Sequence, residues 1–173
     1  MSDRTVELAA QIVGGLARRH GTATVLFHHA VAERLGLGPS DHKCLDLVRE
    51  RGSMTASELA SLTGLTTGAI TGVVGRLLRA GFLAREPDPH DGRKQILTVT
   101  EEAYRRIGAV FDGLAAETVG ALVDGFDDEQ LATIAEFLRR ATDLTLRRTA
   151  QLRGQSLVDG TRRRPSTTTT GRT

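Results

Sequence analysis

A chain of 173 residues has the length of one domain or two small ones, and 39% hydrophobic residues with 3% aromatic and no Trp call for an aliphatic core, which suits helices. One cysteine excludes an intramolecular disulfide framework or a thiolate-built zinc site; no apolar run approaches the roughly 18 residues of a membrane span, and Asp3 and Glu7 stand where a secretory signal would be basic, so a soluble protein in a reducing cytoplasm is expected. The net charge is +2, but the stretch 151–173 sets five arginines against Asp159, a surplus of four, so the rest of the chain carries a net of minus two and a nucleic-acid reading must rest on a local motif.

Apolar residues recur at three- and four-residue steps through Val6, Val13, Leu16, Leu26, Ala30 and Leu35, which predicts one long helix or two over residues 6–35. His20-Gly21-Thr22 is the expected kink, since glycine costs about 1 kcal/mol inside a helix. Gly36-Leu37-Gly38-Pro39 ends it, and Ser40 is placed to cap a helix over residues 41–51 with Leu45 and Val48 facing inward. Thr55 and Glu58 have the Thr-x-x-Glu spacing of a capping box, which starts a short helix reaching Leu62. Thr63-Gly64-Leu65 reads as a tight turn. Thr66 then caps a helix over residues 67–80, whose Ile70, Val73, Val74, Leu77 and Leu78 form one stripe. Gly81 closes it, and residues 82–86 and 94–99 read as strands of a hairpin around the polar turn 87–92. Thr100 begins a helix to about Asp124. Asp127 with Gln130 begins the last one, which ends near Gln151 and carries Leu131, Ile134, Leu138 and Leu144 on one face. From about residue 153 the Arg- and Thr-rich tail has no apolar periodicity and is expected to be disordered.

The fold class is therefore mainly α with a small β-hairpin: two helices joined by a short Gly-containing turn, followed at once by the hairpin, make a winged helix-turn-helix, flanked by long terminal helices. A helix that reads a major groove must present short donors and acceptors near its N-terminus and let its backbone approach phosphate. Thr66, Thr67 and Thr71 supply the hydroxyls, Gly68 and Gly72 permit the approach, and Arg76 and Arg79 are within reach of phosphates. Three glycines, with Gly75, weaken this helix by about 1 kcal/mol each, which a purely structural helix has no reason to accept. The hairpin carries Arg85, His90, Arg93 and Lys94, a basic tip suited to an adjacent minor groove, with Asp91 placed to fix the turn and orient Arg93.

The run LTGLTTGAITGVVGRLLRAGFL over residues 62–83, followed by Arg85-Glu86 and Asp88-Pro89-His90-Asp91-Gly92-Arg93, resembles the multiple antibiotic resistance regulator (MarR) family over roughly residues 6–150. The resemblance implies an obligate homodimer built from the first and last helices, binding a pseudo-palindromic duplex operator and repressing a nearby gene. It also implies a small, anionic aromatic effector bound between the dimerisation and DNA-binding parts, near His28, His42 and Cys44. Residues 1–36 and 100–151 would then form the dimerisation region, 37–99 the winged helix-turn-helix, and 152–173 a basic tail. Gly72 and Gly75 stand where the family often has polar or charged residues, and Gly92 where it often has Arg, so shape readout gains weight.

Physics asks for the dimer independently, because one winged helix neutralises few phosphates and the apolar stripes of the terminal helices exceed what a small DNA-reading core can cover. Two copies on a two-fold axis would set the recognition helices about 34–36 Å apart. Cys44 reads as a buried, inert thiol. His28 also suits a core histidine with satisfied nitrogens. His29 and Glu33 lie one helical turn apart with His20 and His28 nearby, but two ligands at that spacing do not make a metal site. No Ser-His-Asp set, phosphate loop or metalloprotease motif is present, so no enzyme and no cofactor is expected. A winged helix that binds protein instead of DNA, and a metal- or redox-responsive regulator, are the alternatives.

Overall fold

The computed structural model describes residues 1–89, 91–112 and 114–160, with only the backbone of 114–116 and 155–160. Two compact units result, Met1–Leu114 and Ala115–Thr173. In the first, α1 (Asp3–Ala10) passes through a π-helical stretch (Gln11–Leu16) into α2 (Ala17–Leu35), then come α3 (Pro39–Arg51), β1 (Ser53–Met54), α4 (Ala56–Thr63), α5 (Thr67–Arg79), β2 (Leu83–Pro87), β3 (Gln95–Val99) and α6 (Glu101–Phe111). The second unit holds most of α7 (Leu114–Val123) and all of α8 (Asp128–Gly160).

Local chemistry explains most boundaries. Gly36, at φ +69°, closes α2 by donating its own amide to Glu33 while Leu37 donates to Ala32, a Schellman pair that only a residue free to adopt positive φ enters cheaply. α3 starts earlier than expected: Gly38 is its N-cap and Pro39 its first residue, so Ser40 lies inside the first turn, because proline's fixed φ suits that position and its missing N–H is needed nowhere. The irregularity in the first helix lies at Gln11–Leu16, around Gly14 and Gly15, and Gly21 runs through α2 unbroken. Two adjacent glycines loosen a helix more than one, and α2 stays regular although Thr22 and Thr24 donate their hydroxyls to the carbonyls of Arg18 (3.2 Å) and His20 (2.9 Å).

The hairpin pairs antiparallel with Leu83 opposite Val99 and Pro87 opposite Gln95, and β1 adds to the other side of β3 with Met54 opposite Leu97. The expected helix over 100–124 is broken at Asp112, whose ψ of 123° leaves the helical region. α8 opens where Asp127 and Gln130 cap each other's amides at 3.0 and 2.8 Å, and it continues past the expected stop near Gln151 to Gly160. Gln151, Leu152 and Arg153 are good helix formers and no proline intervenes before Pro165, so the expectation of disorder from residue 153 is corrected as far as Gly160; Arg162, Arg163 and Arg164 lie outside the described residues.

The core of the first unit is aliphatic. Leu45, Val48, Leu59, Ile70, Val73, Val74, Leu77, Phe82, Leu83 and Leu97 are buried together with Val31 and Leu35 from the end of α2 and Ala103 and Ile107 from α6. Among the described residues no helix is long and apolar enough to cross a membrane.

Candidate nucleic-acid interface

The α4–turn–α5 pair is built by its caps. Thr55 and Glu58 form the capping box, with the Thr55 amide donating to Oε2 at 2.7 Å and the Glu58 amide donating to the Thr55 hydroxyl at 3.2 Å. The Thr55 amide, together with the Thr55 hydroxyl donating to the same Oε2 at 2.9 Å, holds the Glu58 carboxyl below its ordinary pKa. Gly64, at φ +71°, ends α4, and two residues later Thr66 caps α5 by accepting the Ala69 amide at 3.3 Å. The far end of α5 closes in a Schellman motif, Phe82 donating to Leu77 and Gly81 to Leu78, with Leu77 and Phe82 both in the core.

Two groups from outside the motif hold that end. Thr100 donates its hydroxyl to the Gly81 carbonyl at 2.7 Å, and Arg106 lies 4.0 Å over the Phe82 ring while donating Nη1 to the Ala80 carbonyl at 3.1 Å. A cation placed at the negative end of the helix is favourable there. Neither contact was legible in the sequence, since each links residues far apart in the chain. Burial of Ile70, Val73, Val74 and Leu77 fixes the helix's rotation, each contributing about 1.5–3 kcal/mol.

The opposite face is open, and its groups differ in what they have left to offer. The Thr66 hydroxyl is occupied as the cap acceptor and the Thr71 hydroxyl donates to the Thr67 carbonyl at 2.8 Å, which leaves Thr71 as an acceptor. Thr67 and Gly68 are exposed, and a Cβ on Gly68 would meet nothing within 4 Å. Gly72 is different: a Cβ there would lie 3.4 Å from Arg76 Nη1, so the space it leaves is filled by an arginine of its own helix. Arg76 does not hang free either. Its Nε and Nη2 grip Asp41 of α3 at 2.8 and 2.6 Å, and Asp41 is only 6% exposed. The guanidinium pKa rises accordingly, chiefly through the hydrogen bonds to Asp41. Asp41 was missed by sequence reasoning because it lies far from Arg76 along the chain.

In the wing, Asp91 accepts the Arg93 amide at 3.2 Å and pairs with Lys94 Nζ at 3.6 Å. It thus holds the turn as expected, but its ion partner is Lys94, and it touches Arg93 through the backbone. Arg85 and Arg93 are exposed; His90 lies outside the described residues.

A cleft opens between α2, α3 and α6, lined by His28, His42, Leu45, Asp46, Arg49, Ile107 and Phe111. It brings together two of the three residues expected near an effector. The His28 and His42 rings are 5.4 Å apart, and burial holds the His42 pKa below its ordinary value against the opposing pull of Asp46. Contrary to expectation, His28 is not a satisfied core histidine: its buried Nδ1 has no partner among the described residues. Cys44 does not line the cleft; it is fully buried, and burial pushes its thiol up to about 11. The cavity volume is about 20 Å³, room for roughly one water molecule. His29 and Glu33 are exposed, and among the described residues no group of three His, Cys, Asp or Glu is placed to hold a metal.

Residues 37–94 match the model of the MarR family. The chain is 42% identical over 129 residues to an uncharacterised HTH-type transcriptional regulator, YcgE, of Bacillus subtilis, covering 75% of this chain and 83% of that one. Among solved structures, a MarR family protein from Bacillus stearothermophilus matches with a TM-score of 0.58 at 22% identity, over 84% of this chain and 98% of that one. BpsR of Bordetella bronchiseptica, whose DNA binding is regulated by 6-hydroxynicotinic acid, matches at 0.50 and 22%, over 78% and 95%.

Proposed function

The chain belongs to the MarR family of DNA-binding transcriptional regulators, and from that premise we propose that it works as a homodimer that reads a pseudo-palindromic duplex operator and represses a nearby gene, in the cytoplasm. One observation carries the reading: α5 is locked by its buried aliphatic stripe and caps while its other face offers Thr67, Gly68 and Thr71 to solvent. In this assignment Thr66, Thr67 and Thr71 face base edges, Gly68 brings backbone near phosphate, Gly72 instead seats the Arg76 side chain that meets a phosphate, and Arg93 with Lys94 serves the wing.

Dimerisation is assigned to residues 1–36 and 100–151. Val6, Ile12, Val13 and Leu16 in the first unit are 37–67% exposed, and Val119, Leu122, Phe137 and Leu138 in the second are equally uncovered, which a second copy would relieve. A small anionic aromatic effector fits the same scheme, since BpsR is regulated by such a molecule. The cleft beside His28 and His42 is its assigned place, where an anion would compete with Asp46 for Arg49, which Asp46 pairs at 3.2 Å, and the cleft would have to widen to admit a ring. The test is a titration of promoter-proximal duplex at several salt concentrations. Affinity falling steeply with salt supports the regulator; no measurable binding favours a protein-interaction module.

A further inference from the structure

The Asp41–Arg76 pair is oddly made for a strut. Asp41 is 6% exposed, whereas the Arg76 side chain is 52% exposed, so the bond spans from interior to surface. A carboxylate taken out of water loses solvation that one half-exposed cation repays poorly, and an apolar pair would tie α3 to α5 as well. What an apolar pair could not do is fix a guanidinium. The fork uses Nε and Nη2, which among the described residues leaves Nη1 with both of its N–H groups, and Nη1 lies over Gly72, 3.4 Å from where a Cβ would stand.

Resting on the DNA-binding reading above, we infer that Asp41 is a positioning residue for DNA contact: it holds Arg76 in one rotamer, with Gly72 providing the bed, so that Nη1 is aimed outward at a phosphate beside the base-reading face of α5. Arginine ordinarily loses side-chain entropy when it engages DNA, and fixing it beforehand removes that cost, about two- to tenfold in affinity. The benefit falls on the one register in which a phosphate sits at Nη1. Random duplex, gripped in many registers, gains nothing from the fixed geometry, while the negative charge of Asp41 opposes both duplexes alike. Asp41 therefore acts on the ratio of specific to nonspecific binding.

The experiment compares a duplex selected from a random pool by the wild-type protein with a scrambled duplex of equal length, for wild type, Asp41→Asn, Arg76→Lys, Arg76→Gln and the Asp41→Asn/Arg76→Gln double variant, with thermal unfolding recorded for each. Asp41→Asn is expected to weaken the selected duplex about two- to tenfold and to leave the scrambled one unchanged or tighter. In the Arg76→Gln background the same change is expected to leave the ratio unaltered. A strut alone would lower stability and reduce both affinities together, and that result overturns the inference. Should Asp41→Asn be unfolded at the assay temperature, Arg76→Lys decides, since it keeps the charge and loses the fork; an unchanged ratio overturns the inference. A wild-type protein that selects no duplex overturns the DNA-binding reading itself, whereas selective wild-type binding with an unaltered Asp41→Asn ratio overturns only the role of Asp41.

Discussion

Gly68→Ala separates what α5 needs for folding from what it needs for DNA. Gly68 is the second residue after the Thr66 cap, its backbone is not in the positive-φ region, and a Cβ there meets nothing within 4 Å. Alanine restricts the unfolded chain and favours the helix, so the variant should gain about 0.5 kcal/mol, less than the full interior difference because the site lies in the first turn. The same methyl group would stand between the helix backbone and an approaching phosphate. Losing one charge-assisted contact of about 1.5 kcal/mol corresponds to about tenfold weaker binding. Urea unfolding and duplex titration on one preparation give both numbers. Greater stability with undiminished affinity would mean that the glycine is merely tolerated and that DNA does not approach α5 there.

Arg93→Ala should weaken binding to all sequences and flatten the dependence of log affinity on log salt by about one unit; an unaltered slope would remove the wing from the mechanism. Thr67, whose hydroxyl, unlike those of Thr66 and Thr71, has no hydrogen-bond partner among the described residues, should on replacement by Ala relax base preference more than it lowers nonspecific affinity, and a uniform loss over operator variants would contradict that role. The Cys44 thiol, pushed from 9.0 to about 11, should react at pH 8 at least about a hundredfold more slowly in the folded protein than in denaturant; comparable rates would refute its burial. His42 has a folded pKa below 6.5, so the unfolded chain takes up its proton first as the pH drops. Stability should be insensitive to this group above pH 6.5 and decline below it, and His42→Gln should remove that part of the decline; an identical pH profile would contradict it.

The signals that could be read from the chain were local ones. Thr55 with Glu58 and Asp127 with Gln130 cap their helices as their spacing requires, and the stripe from Ile70 to Leu77 is buried along its length. What escaped was set by tertiary partners. β1 is two residues long and exists because β3 offers an edge, so no periodicity could announce it. The break at Asp112 and the π stretch at Gly14 and Gly15 interrupt patterns whose apolar spacing runs on across them. On α5 the exposure of Thr66, Thr67, Gly68 and Thr71 was legible because the apolar stripe fixes which face turns inward, and the hairpin was legible from its polar turn. The engagement of Arg76 by Asp41, and of the end of α5 by Thr100 and Arg106, was not, since a charged residue's partner is a fact of packing.

The most direct test is a hydroxyl-radical footprint of the protein on its selected duplex, combined with interference by methylation of guanine N7. Two protected backbone segments about one helical turn apart on the same side, with interference in the major groove between their edges, is the expected pattern. One protected segment, or protection without any effect of N7 methylation, would contradict a pair of α5 helices lying in successive major grooves.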